Sequence, residues 1–186
     1  MGTSTDPLDF KDRSAWRSWL KDHHTAASCA WLVIQKKSSK LDGLRLEEAV
    51  QEALCFGWID GKLKRLDDQR FLLRFSPRKP LSVWSITNIQ RVEELIRVGA
   101  MTEAGLAAVE AAKESGQWQN ALDREQPDKI PPELEAALRQ KRGALAAYRD
   151  LTDTKKKQYL YWLQSARREG TKRKRIEEIV KQVLKG

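Results

Sequence analysis

Two runs of alternating side chains, Trp58–Leu66 and Arg70–Ser76, separated by Asp67-Asp68-Gln69, restrict the fold of this chain more than any other segment. In a strand successive side chains point to opposite faces, so Phe71, Leu73 and Phe75 fall on one side and Leu72 and Arg74 on the other. The aspartates between the runs supply turn chemistry, because their carboxylates can bond the backbone ahead of them and they tolerate turn dihedrals. Pro77 and Pro80 end the second run, since neither has an N–H to give to a ladder. The chain is therefore committed to a β-hairpin. A hairpin alone is marginal in water, so it needs another strand and a cover of helices. The apolar run Ala30–Gln35, rich in Val and Ile and ended by KKSSK, predicts that third strand.

The helices follow from spacing. Asp9–Lys21 carries Phe10, Trp16, Trp19 and Leu20 near one face, with Asp9 and Asp12 at its N-terminal end. From Arg45 to Phe56, Leu46, Ala49, Val50, Ala53 and Leu54 mark an apolar face and Glu47, Glu48, Gln51 and Glu52 the polar one, with Gly57 as the stop. A new period begins at Ser82 and closes at Gly99. Thr102 then caps another helix that runs to Gly116. Residues 120–132, NALDREQPDKIPP, are polar and proline-rich and read as a linker. Beyond it, Glu133–Gln140, Gly143–Arg149 and Asp153–Arg168 predict helices, and Gly170-Thr171 is expected to break the chain before a last helix capped by Thr171. That helix carries Ile176, Ile179, Val180, Val183 and Leu184 as its core stripe. The expected fold is α+β: a small antiparallel sheet of about three strands packed against helices over residues 1–119, then an all-helical module over 133–186.

Composition narrows the function. The net charge of +9 is local: residues 62–79 hold seven Lys/Arg against two Asp/Glu, and residues 151–186 hold eleven against four. Such patches favour a polyanion or anionic surface, although solvated lysines on a helix face account for the same counts. No run approaches the ~18 apolar residues of a membrane span, and the start lacks the features of a secretory leader, so a cytoplasmic protein is expected. Cys29 and Cys55 form no CxxC pair and read as reduced thiols, and the adjacent His23 and His24 are poorly placed to share an ion. No metal site and no cofactor is expected. Phosphate-cradling glycine loops, nucleophile elbows and HExxH are absent, which argues against the common enzyme chemistries without excluding activity.

One constellation remains. Asp60 enters the hairpin, Lys62 and Arg74 lie on its strands, Arg78 stands between the prolines, and Trp84, Ser85 and Asn88 open the next helix. Ser85 or Ser82 could cap that helix, whose N-terminal amides and the neighbouring Arg78 suit a carboxylate or phosphate. Trp58 and Trp84 would wall such a pocket. The alternative is structural: Asp60 paired with Arg74 or Arg78, and both tryptophans in the core. A nucleic-acid surface is the rival site, using the basic hairpin with Arg167, Arg168, Lys172, Arg173, Lys174 and Arg175. These six span two helices in an outline similar to helix-turn-helix.

The segments ALCFGWIDGKLKRLDDQRFLLRFSPRKP, SVWSITN, GAMTEAGLAAVEAAKESGQW and YWLQSARREGTKRKRIEEIV resemble the YdeI/OmpD-associated, bacteriocin-protection type of family from about Ala30 to Val180. Two departures occur at Gly170-Thr171-Lys172, where that pattern favours Glu-Thr-Arg; lysine at 172 cannot supply a planar two-pronged donor. The resemblance implies a bacterial, cytoplasmic stress or antimicrobial-peptide resistance factor that binds a protein partner or small anionic ligand. It implies a shared site at Trp58, Asp60, Gly61, Arg74, Pro77, Arg78, Trp84, Ser85 and Asn88.

Overall fold

A computed structural model describes residues 6–185 and divides the chain into two compact units, one ending at Gly116 and the other beginning at Gln117. In the first unit, the three strands β1 (Ala30–Gln35), β2 (Trp58–Arg65) and β3 (Arg70–Pro77) form an antiparallel sheet in the order β1-β3-β2. The turn is built as the residues require: one Asp67 carboxylate oxygen accepts from the amides of Gln69 at 2.8 Å and Arg70 at 2.7 Å. Helices α1 (Arg13–His23), α2 (Leu46–Cys55), α3 (Ile86–Arg97) and α4 (Glu103–Glu114) complete the unit. Their caps are Asp12 for α1, Ser85 for α3 and Thr102 for α4, each accepting an amide of the first turn.

The register decides which face of the sheet the helices cover. Leu32 lies opposite Leu73, Ala30 opposite Phe75, and Phe75 opposite Asp60, so these side chains share one face. Leu32, Phe75 and Ile34 are fully buried there beside Trp16 of α1 and the apolar stripe of α2. The C-terminus of α2 meets the N-terminus of α4 head-on. The Cys55 carbonyl accepts from both the amide and the hydroxyl of Thr102, at 3.1 and 2.6 Å. Gly105 makes this contact possible: a Cβ there would lie 2.3 Å from the Cys55 oxygen.

One residue of α2 departs from its pattern. Glu52, on the polar face by spacing, is 1% exposed. Its carboxylate is clamped by Arg13 and Arg17, one turn apart on α1, with Arg17 Nη1 at 2.6 Å. Glu52 is therefore covered by charge pairing, while Glu47 on the same polar face stays exposed.

The second unit contains α5 (Gln117–Arg124), α6 (Pro132–Arg139), α7 (Ala144–Arg149), α8 (Asp153–Gln164) and α9 (Glu169–Val183). Residues 117–124 are thus helical where the sequence suggested a linker from Asn120. Its core gathers Leu134, Leu138, Tyr148, Tyr159, Leu163, Ile179 and Val183. The break before α9 falls at Ser165–Arg168; Gly170 and Thr171 lie inside its first turn, and Arg168, which makes no side-chain cap bond, occupies the cap position. Thr171 is therefore not the cap: the helix begins two residues before it.

Candidate functional site

Strand alternation splits the constellation that the sequence assembled. Trp58 and Asp60 point to the helix-covered face, but Trp58 is a core residue at 1% exposure rather than a pocket wall. It packs edge-on against Trp16 and Trp19 with ring centres 6.3 and 5.9 Å away, and its indole N–H donates to the His24 carbonyl at 3.2 Å. Trp16 and Trp19 come from α1, so only tertiary contact could reveal how deep Trp58 sits.

Just past β3 the Arg78 amide donates to the Gly57 carbonyl at 2.9 Å, which turns the side chain back over the unit. Its guanidinium lies 3.7 Å above the ring centre of buried Trp84. One nitrogen approaches the Val83 carbonyl at 3.5 Å, a marginal distance. The other two, Nε and Nη2, are buried and donate to nothing. Desolvation pulls this guanidinium down to about 10, against the field of the Asp60 carboxylate, so it remains a cation at neutral pH. Asp60 also acts on Arg91, yet it is in ion-pair contact with neither arginine. Buried donors without acceptors are rare and costly, which makes this seam the unusual polar feature of the unit.

Ser85 and Asn88 both make bonds within the first turns of α3. The Ser85 hydroxyl accepts the Asn88 amide at 3.2 Å, and the Asn88 side-chain oxygen accepts from Arg91 at 2.8 Å. Arg91, which sequence reading did not single out, is the member that joins α3 to α2: it pairs with Glu47 through two bonds of 2.8 and 2.5 Å. Its hydrogen bond holds Glu47 below the usual carboxylate range and raises Arg91. Arg91 also lines a groove of about 520 Å³ with Arg13, Gln51 and Thr87. The missed signal was the Asn88/Arg91 pair at i,i+3, adjacent on a helix surface.

Lys62 and Arg74 lie elsewhere. Pairing steps from Asp60↔Phe75 to Leu63↔Leu73, so Gly61 and Lys62 together oppose Arg74 in a β-bulge. Arg74 lies opposite Trp31 in the register and points with it to the face away from α1 and α2. Neither Lys62 nor Arg74 therefore meets Asp60, Arg78 or Trp84.

The C-terminal cluster is dispersed by its helix. Lys172 pairs with Glu133 at 2.7 Å, and Arg175 turns inward to the Trp162 carbonyl and the Ser165 hydroxyl. Arg167, Arg168, Arg173 and Lys174 are exposed. Among the described residues no three His, Cys, Asp or Glu side chains gather in a group able to hold a metal ion, and no helix is long and apolar enough to cross a membrane.

Fold and site together define a two-unit protein, an α+β unit with a polar seam at Arg78 followed by a helical unit. The chain belongs to the family of the domain of unknown function DUF8412, whose model matches residues 8–108. Residues 129–186 match the family described as Bacteriocin-protection, YdeI or OmpD-Associated, which suggests a role of the bacteriocin-protection type. That second match is narrower than the resemblance from Ala30 to Val180, because the hairpin segment carries the first family's pattern instead. The residues Trp58 to Asn88 thus lie outside the bacteriocin-protection match. No curated protein and no solved structure matches the chain significantly.

Proposed function

We propose that the protein is a non-enzymatic cytoplasmic factor of the bacteriocin-protection type that recognises a small anionic ligand, or the acidic group of a partner, at Arg78. The observation that carries this reading is the buried guanidinium whose Nε and Nη2 lack acceptors. A carboxylate would take both donors side by side, the geometry for which a planar guanidinium is suited. Asp60, nearby and outside ion-pair contact, would then receive a donor group on the same ligand. The Lys79–Val83 turn, closed by the Ser82 amide on the Lys79 carbonyl at 2.8 Å and by Lys79 N–H on Ser82 Oγ at 2.9 Å, is the segment that parts to admit it.

The test is a thermal-shift and NMR titration with acetate, N-acetylglycine and inorganic phosphate, on the wild type and on Arg78→Met. The expected result is a saturable shift of the Trp84 indole signal that Arg78→Met abolishes. Equal response in the variant, or none in either protein up to millimolar probe, removes the reading.

A further inference from the structure

The face of the sheet turned away from α1 and α2 carries a second feature, separate from Arg78. Trp31 is half-buried there, with the Lys64 ammonium 4.5 Å above its ring centre and Arg74 directly opposite it on β3. The bulge at Gly61-Lys62 sets Lys62 beside Arg74. What distinguishes these cations is that no carboxylate neutralises them. Arg65 and Arg70 at the hairpin tip pair with Asp68 and Asp67, and Lys36 donates to the Asp67 and Asp68 carbonyls. Lys62 and Arg74 have no such partner among the described residues, and Lys64 has only the indole.

We infer that this face binds single-stranded nucleic acid, with a base stacked on Trp31 and Lys62, Lys64 and Arg74 placed along the phosphates. Arg74 on β3 lies between Trp31 on β1 and Lys62 on β2, on strands about 4.8 Å apart, and Lys64 stands two residues further along β2, so the three cations gather beside one aromatic plate. Proteins that hold single strands without regard to sequence use this combination: stacking accepts any base because each has a π-face, and the cations follow the backbone. In the free protein Lys64 covers the ring. An exposed ammonium–indole contact is weaker than base–indole stacking, so Lys64 exchanges the ring for a phosphate when a base arrives. An acidic polypeptide would satisfy the cations and leave Trp31 without a role, and duplex DNA would hide its bases from the plate. The sequence counted the cations of residues 62–79 as one patch; the pairing separates the neutralised tip from this open strip.

The experiment is fluorescence anisotropy of the full chain with a labelled 12-nucleotide oligo-dT across a salt series, with duplex DNA and poly-L-glutamate as competitors. Binding is expected to weaken linearly in log[salt], with Arg74→Ala and Lys62→Ala each lowering the slope by about 0.7. Trp31→Ala should cost roughly 10- to 100-fold in affinity and Trp31→Phe much less, since a phenyl ring still stacks. Circular dichroism melts confirm that each variant is folded. No binding at 50 mM salt overturns the inference. So do competition by poly-L-glutamate as strong as by oligo-dT, preference for the duplex, and unchanged affinity in the folded Trp31→Ala variant. Because none of these residues touches Arg78, loss of the small-anion response leaves this result standing, and the reverse.

Discussion

The two faces of one three-stranded sheet have opposite chemistry. On the covered face every cation near the sheet is desolvated or paired: Arg78 lies over Trp84 beneath its turn, and Arg13 and Arg17 hold buried Glu52. On the open face Lys62 is exposed and Arg74 partly so, and neither has a carboxylate partner among the described residues. The hairpin sequence alternates the two sets along the same strands, so a constellation contiguous in sequence becomes two places in space. Charge on the covered face is tied to stability, whereas Lys62 and Arg74 on the open face hold no ion pair among the described residues. This distinction generates measurable differences between variants.

The largest concerns Trp58. Truncation to alanine removes the ring that joins Trp16 and Trp19 to the start of β2, and should cost ~3–5 kcal/mol in urea unfolding of the α+β unit. Arg74→Ala, on the opposite face, should change the same transition by less than about 0.5 kcal/mol. Comparable losses from the two variants would mean that the faces do not differ as described.

Glu52→Gln comes next. The carboxylate is buried, but its two arginine partners remain roughly two-fifths exposed and can return to water when the charge is removed. The expected cost is therefore ~2 kcal/mol, below that of breaking a fully buried pair. A double-mutant cycle with Arg17→Met isolates the interaction, which the spacing of α2 alone would have placed on a solvated face.

Much of the fold was legible in the sequence because it rests on local rules. Ala30–Gln35 read as a strand from its β-branched run, the hairpin followed from period-two alternation, and Thr102 announced its helix by its cap. What was not legible depends on partners distant in the chain. Glu52 is buried because residues 39 and 35 positions earlier reach it, and Trp58 is core because α1 brings two indoles to it. The site was half legible for the same reason. Arg78 and Asp60 were singled out as residue types and alternation already set Arg74 on the face opposite Phe75, but the bulge that places Lys62 beside Arg74 appears only in the register.

Arg78→Met separates stability from recognition. The methionine keeps an unbranched chain over Trp84 and removes two buried donors that have no acceptor, while giving up the cation–π contact. Unfolding should shift by no more than about 1 kcal/mol, on the stabilising side, while the small-anion response disappears. A clear loss of stability would show that the guanidinium is held by the fold for structural reasons.

The smallest effect is a pH dependence at the rim of the covered side. The Arg91 hydrogen bond holds Glu47 below its ordinary value of 4.5, so the folded state binds that proton less readily than the unfolded chain does. The pair therefore adds stability at pH values above about 4.5, and this contribution is lost as the pH falls through the lower folded value. Glu47 is half-exposed, so the contribution is screened and amounts to less than ~1 kcal/mol. Urea unfolding at pH 6 and pH 3 should show a slightly smaller acid-induced loss in Glu47→Gln than in the wild type. Adding 0.5 M NaCl at pH 6 should narrow the gap between the two proteins, because an exposed pair is screened by salt. The Trp58 difference, which rests on apolar contact, should survive the same salt, so the two treatments separate the charged rim of the covered face from its core.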